Sequence, residues 1–187
     1  MADRVCPWWM GYLLASPFRR WMQNPEDVVG PFMEPGMTVL EPGPGMGFFT
    51  LPMAELVGPS GRVVAVDVQP KMLDGLRRRA AKADLLPRLD ARLAQSGSLG
   101  VGDLNGKVDF VLACAVVHEM PSSEVFFREA AAALKTGGTL LLVEPAGHVD
   151  PVRFAHQINV ARQAGLEQGE RTVVRRCRAA VFTKKAA

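Results

Sequence analysis

Apolar residues fall along this chain in short dense runs, each closed by an acid, a glycine or a proline. Residues 37–41 form one such run, ending in Glu41, and read as a buried strand. Residues 46–57 keep helix-compatible spacing and stop at Gly58-Pro59. Arg62-Val63-Val64-Ala65-Val66 is a second strand, closed by Asp67. Pro70 suits a first helical turn, and over 71–83 the apolar Met72, Leu73 and Leu76 oppose the solvated run Arg77-Arg78-Arg79. A third strand is expected near 89–94, followed by a loop marked by Gly97, Gly100, Gly102 and Gly106. Residues 108–113 form the fourth strand. Ser122 or Ser123 caps a helix running through Leu134, with Glu124 early in it, and Gly137-Gly138 is expected to stop it. Residues 139–143 are a fifth, largely apolar strand, and 151–165 a further helix stopped by Gly165. Two short strands near 171–176 and 178–183 close the chain.

Strands and helices alternating at this pitch predict an α/β fold, a doubly wound, Rossmann-like, mostly parallel sheet with helices on both faces. Residues 1–35 stand apart as a helical cap, and 36–187 form the main domain. The cap is dense in Trp8, Trp9, Tyr12, Leu13, Phe18, Trp21 and Met22. Such a set either packs on the core or covers a pocket as a lid.

Composition narrows the function classes. A length of 187 residues, 48% apolar and 22% charged, suits one ordinary globular domain. A net charge of +3 is too small to argue for nucleic acid, which is not expected as a partner. Cys6, Cys114 and Cys177 show no C-x-x-C spacing, so neither a disulfide framework nor a metal site is expected. The apolar stretch Trp8 to Ala15 is too short to span a bilayer, and Arg19-Arg20 follow it rather than precede it. A cytoplasmic protein is the expectation; oligomeric state stays open.

The candidate chemistry begins at Glu41-Pro42-Gly43-Pro44-Gly45-Met46-Gly47. A strand, an acid, a glycine turn and a helix start make the usual seat for a nucleotide-type ligand. Dinucleotide sites favour G-x-G-x-x-G, whereas this run is G-x-G-x-G, with Phe48 where the third glycine should stand. In an open α/β sheet, ligands sit beyond the carboxyl ends of the strands. The second strand brings Asp67 there, 20 residues beyond Gly47. The third brings Ala94-Gln95-Ser96, the fourth Cys114-Ala115-Val116 and then His118-Glu119, and the fifth Glu144-Pro145.

On the glycine run, the strand ending at Asp67, Val108-Asp109-Phe110-Val111-Leu112, and the block from Leu134 to Pro145, the chain resembles the class I S-adenosylmethionine-dependent methyltransferases. The resemblance covers about residues 37–145. It implies a seven-stranded sheet with an antiparallel last strand, and S-adenosyl-L-methionine as cofactor with S-adenosyl-L-homocysteine as product. By the resemblance, Glu41 neighbours the cationic amino group. Gly43, Pro44, Gly45 and Gly47 approach the methionine end, and Asp67 with Val68 holds the ribose. Gln95 and Ser96 take the adenine position, where the family often has an acid, and Cys114 lines the cofactor. His118 and Glu119 are the candidate catalytic residues, weighed against capping or packing roles. Glu144 and His148 read more readily as structural.

The acceptor is approached by elimination. The N/D-P-P-Y/F motif of nucleobase and glutamine amino-methyltransferases is replaced after the fourth strand by Cys114-Ala115-Val116-Val117. The carboxylates of metal-dependent catechol-type enzymes are absent there, as are the lysine-aspartate-lysine-glutamate set and the Pro-Cys nucleophile. Three scattered cysteines do not establish the convergent thiols of arsenite methylation. The expectation is a methyltransferase acting on a small-molecule acceptor, similar to the ubiquinone/menaquinone C-methyltransferase group. Two alternatives stay open: a non-catalytic cofactor-binding partner protein, and a nicotinamide-dependent oxidoreductase, against which Phe48 counts.

Overall fold

The structure is a computed structural model that describes residues 24–95, 97–170 and 172–185. The aromatic set Trp8 to Met22, and with it the cap expectation, lies outside the described residues. Description starts at Asn24, whose side chain caps α1 (Pro25–Val29) by accepting from the Glu26 N–H.

Seven strands form one sheet: β1 (Thr38–Pro42), β2 (Arg62–Asp67), β3 (Leu89–Leu93), β4 (Val108–Cys114), β5 (Leu134–Pro145), β6 (Leu166–Gln168) and β7 (Cys177–Lys184). Their order is β3-β2-β1-β4-β5-β7-β6. The helices are α2 (Thr50–Leu56), α3 (Pro70–Lys82), α4 (Ser123–Ala133) and α5 (Pro151–Gln163). The chain divides into two compact units, one closing at Ala94 and the other opening at Gln95.

In the first unit β1, β2 and β3 run parallel, with Thr38 opposite Arg62, Pro42 opposite Val66, and Asp67 opposite Leu93. Val39, Leu40, Val63, Val64 and Ala65 are fully buried, so consecutive residues of β2 are hidden on both faces of the sheet. Pro70 opens α3 with the φ a helix needs and no N–H to waste. Met72, Leu73 and Leu76 face inward on α3, while Arg77 and Arg78 stay exposed, as the spacing predicts.

In the second unit β4 and β5 run parallel, from Phe110 opposite Thr139 to Cys114 opposite Val143. β7 inserts between β5 and β6 and is antiparallel to both, which matches the expected antiparallel last strand. Ser122 caps α4, its hydroxyl accepting from the Val125 N–H at 3.1 Å.

Apart from shifts of one or two residues at helix ends, three regions differ from the sequence reading. α2 starts at Thr50 rather than 46, because Gly43, Gly45 and Gly47 all take positive φ and hold the chain in turns until then. Gly137-Gly138 do not stop α4, which ends at Ala133. They lie inside β5, where the register jumps from Val108 opposite Leu134 to Phe110 opposite Thr139. A Cβ on Gly138 would stand 2.9 Å from Lys135 O, so the pair serves a strand irregularity. The strand expected near 171–176 is instead Leu166–Gln168, where Leu166 is 2% exposed; Arg175-Arg176 belong to the turn before β7.

Gly61 fixes the entry to β2. A Cβ there would lie 2.5 Å from Val57 Cβ and 2.7 Å from the carbonyl oxygens of Met37 and Val57. Two of those atoms are backbone and cannot swing away. Gly61→Ala is expected to destabilise the fold by about 1–3 kcal/mol, read as a lower urea midpoint at unchanged slope.

Candidate functional site

The first unit presents an acid, a glycine turn and a second acid at the carboxyl ends of adjacent parallel strands. Glu41 is 3% exposed, and its Oε2 accepts from Thr50 Oγ1 at 2.5 Å. Thr50 is the first residue of α2, so the helix start and the strand end are tied through their side chains. The Gly43 N–H donates to Val66 O at 2.8 Å, and the Gly47 N–H to Pro44 O at 3.0 Å. Gly47 has φ +87°, and a Cβ there would stand 2.6 Å from Leu76 Cδ1 on α3. From the same helix, Arg79 Nη1 donates to Met46 O at 2.5 Å. Burial holds the Arg79 guanidinium below its ordinary pKa. The turn is therefore anchored from α2, α3 and β2.

Asp67 is 8% exposed, and its Oδ1 accepts from the Gln69 N–H at 2.8 Å. That bond makes an Asx-type turn leading into α3, a structural task compatible with a ligand role. Val68 beside it is exposed. Pro44 is buried within the turn.

The second unit gathers a polar cluster that the sequence reading left as separate residues. Cys114 ends β4 and is half-buried. Ala115 follows in a left-handed conformation, φ +54°, with its N–H on Val143 O at 2.8 Å. A left-handed alanine costs roughly 1–2 kcal/mol, and such strain gathers at functional sites. A 3₁₀ turn, Val117–Glu119, comes next. It places His118, 6% exposed, against Glu144 at the end of β5, which is fully buried. His118 Nδ1 lies 2.6 Å from Glu144 Oε2, and the His118 backbone N–H donates to Glu144 Oε1 at 3.1 Å. Gln157 Nε2 donates to the same Oε1 at 3.3 Å. Arg153 Nη2 donates to the His118 carbonyl at 2.8 Å. The exposed His148 stands edge-on to the His118 ring, 5.5 Å between centroids.

Burial by itself lowers the His118 pKa. The hydrogen bond and charge of Glu144 raise it, Glu119 adds to the rise, and Arg153 opposes it; the net shift is upward. Glu119 is only half-buried. Of the remaining expected residues, Gln95 is exposed and Ser96 lies outside the described residues. Thr50, Arg153 and Gln157 carried no expectation, and Arg79, expected in a solvated run, is instead half-buried because its guanidinium turns in to bond Met46 O. Arg153 and Gln157 carried one legible signal, since positions i and i+4 share a helix face. Among the described residues, no group of three or more His, Cys, Asp or Glu is placed to hold a metal ion. Among them too, no helix is long and apolar enough to cross a membrane.

An acid, a G-x-G-x-G turn and a second acid on this sheet define the S-adenosylmethionine-dependent methyltransferase class, and comparison with known proteins agrees. The methyltransferase domain family matches residues 39–138, and the chain belongs to that family. An arsenite methyltransferase of Halobacterium salinarum is 36% identical over 125 residues, which is 65% of this chain and 31% of that protein. A protein-L-isoaspartate O-methyltransferase of Methanothrix thermoacetophila is 31% identical over 135 residues, 70% of this chain and 59% of that protein. The chain thus spans about a third to three-fifths of the length of these curated relatives. A solved S-adenosylmethionine-dependent methyltransferase of Aquifex aeolicus superposes with a TM-score of 0.83. It is 23% identical, with 95% of this chain and 98% of that one covered.

The His118–Glu144 pair sets a pH dependence of stability. His118 has a raised pKa in the folded protein, so its contribution is complete below the ordinary value of 6.5 and is lost as pH rises through the folded value. Urea unfolding of the native protein and of Glu144→Gln at a series of pH values checks this. The stability advantage of the native protein is expected to be largest below pH 6.5 and to shrink as the pH rises through the raised folded value of His118.

Proposed function

We propose that this chain transfers the methyl group of S-adenosyl-L-methionine to a small-molecule acceptor. The carrying observation is the pairing of Glu41 and Asp67 at the ends of β1 and β2, with the glycine turn folded between them. A carboxylate 3% exposed at a strand end is suited to receive the cationic amino group of the cofactor's methionine end. The positive φ values of Gly43, Gly45 and Gly47 let the backbone approach that end without a Cβ in the way. Asp67 accepts from the ribose hydroxyls, with Val68 against the sugar or base.

The cofactor, when bound, supplies an activated methyl on a sulfonium. The residues of the chain bind it, orient it and keep water away. The small-molecule acceptor is supported by the sequence after β4, Cys114-Ala115-Val116-Val117, which carries none of the motifs for amino groups of nucleobases or glutamine. The two curated relatives are named for different acceptors, arsenite and protein L-isoaspartate, so they do not converge on one.

Titration calorimetry with S-adenosyl-L-methionine, S-adenosyl-L-homocysteine and NAD is the direct test. The first two are expected to bind, and binding of NAD alone would replace this reading with an oxidoreductase. Asp67→Ala is expected to weaken S-adenosyl-L-homocysteine by about 1.5–3 kcal/mol through lost charge-assisted hydrogen bonds. An unchanged affinity would show that Asp67 does not hold the ribose. Transfer of label from the methyl donor separates an enzyme from a binding partner without activity.

A further inference from the structure

β3 is the last strand on its side of the sheet, and among the described residues no strand pairs with its outer edge. Bare N–H and C=O groups on such an edge recruit another strand, and sheets commonly guard against this with a proline or a bulge. β3 has neither. Pro87 lies before it, in the turn Leu86–Arg88. Its register against β2 runs unbroken from Leu89 opposite Val63 to Leu93 opposite Asp67.

The bonds to β2 decide which backbone groups face outward. The Ala94 N–H donates to Asp67 O at 2.9 Å, so Ala94, Arg92 and Asp90 turn their backbone groups toward β2. Leu89, Ala91 and Leu93 alternate with them and turn theirs to the open edge. Arg77 Nη2, reaching over from α3, meets the outward Ala91 carbonyl at 2.7 Å. The Leu89 N–H is already used, donating to Leu86 O in the preceding turn. The Leu89 carbonyl and the N–H groups of Ala91 and Leu93 remain for another strand.

The side chains of this edge are self-complementary. The strand reads Leu89-Asp90-Ala91-Arg92-Leu93, which inverts onto itself about Ala91 with the charges exchanged. In an antiparallel pairing about a two-fold axis at Ala91, Asp90 of one copy stands opposite Arg92 of the other, and Leu89 opposite Leu93. Arg92 Nη2 bonds Asp90 Oδ2 at 2.7 Å within one copy, so both charges lie on one face of the sheet. Leu89 and Ala91 lie on the other face, packed with Leu73 and Leu76 of α3. Leu93 continues their row but is 61% exposed, and Leu89 of a second copy would lie beside it across the seam. The backbone agrees with the same axis. Each Ala91 N–H meets the other copy's Ala91 carbonyl, and each Leu93 N–H meets the other copy's Leu89 carbonyl. An unrelated strand must match backbone parity, charge order and apolar row separately, whereas a second copy matches all three by symmetry.

We propose that β3 is the edge at which two copies of this chain pair, antiparallel about Ala91, as a two-fold dimer joined through the first unit. Arg77 guards this edge in the single copy. On pairing, the Ala91 N–H of the second copy replaces it at the carbonyl, and Asp74, 3.6 Å from Arg77 Nη1, keeps its charge paired.

Sedimentation equilibrium of the intact protein tests this. A monomer–dimer equilibrium is expected, and a monomer at every concentration up to about 1 mM overturns the proposal. Arg92→Asp alone and Asp90→Arg alone each set like charges opposite one another on both sides of the axis. Each should weaken dimerisation by about 10–100-fold. Mixing the two variants restores opposite charges in every pair, so the mixture should dimerise where neither variant does by itself. Dimers that survive both substitutions, or folded variants that stay apart when mixed, overturn the proposal. Amide hydrogen exchange of the native protein needs no variant. The N–H groups of Ala91 and Leu93 should exchange more slowly as concentration rises. Exchange there that is indifferent to concentration overturns the proposal even if a variant fails to fold.

Discussion

Parallel strand pairing is the constraint on which the chemistry depends. Parallel neighbours must be joined by crossovers, so the parallel strands of a unit end on the same side and deliver their loops there. In the first unit that rule brings Glu41 and Asp67 to one edge, because Pro42 stands opposite Val66. In the second it brings the turn carrying His118 to Glu144, because Cys114 stands opposite Val143. A register slip of one residue in either pair would send its acid to the other face and dissolve the constellation of that unit.

Each unit hides a carboxylate at its strand ends and treats it differently. Glu41 is held by the Thr50 hydroxyl at the start of α2, next to a turn in which a Cβ on Gly45 would meet nothing within 4 Å. Glu144 is held by an imidazole, a backbone amide and a side-chain amide. Arg79 and Arg153 have matching places, each bonding a backbone carbonyl of these turns, at Met46 and His118 respectively.

The candidate cofactor turn was legible because its signals are local. A strand that ends in an acid, three glycines at alternate positions and an acid 20 residues further on can be read without knowing any long-range contact. The order of strands and helices was legible for the same reason, since hydrophobic period and capping residues act within a few positions. The errors fell where local signals are ambiguous. Gly137-Gly138 look like a helix stop but serve a strand irregularity. The edge strand Leu166–Gln168 is only three residues long and is defined by its pairing with the end of β7.

The polar cluster of the second unit was legible only in part. His118 was a candidate catalytic residue from its place after the fourth strand, whereas Glu144, 26 residues away, read as structural. Their pairing depends on how far β4 and β5 extend and on which residues α5 turns inward. By itself the sequence determined the family, the fold class and the candidate cofactor turn, because those follow from spacing along the chain. The tertiary structure alone decided that His118, Glu144, Gln157 and Arg153 form one cluster. Burial and hydrogen-bond satisfaction are properties of packed elements, and no stretch of sequence carries them.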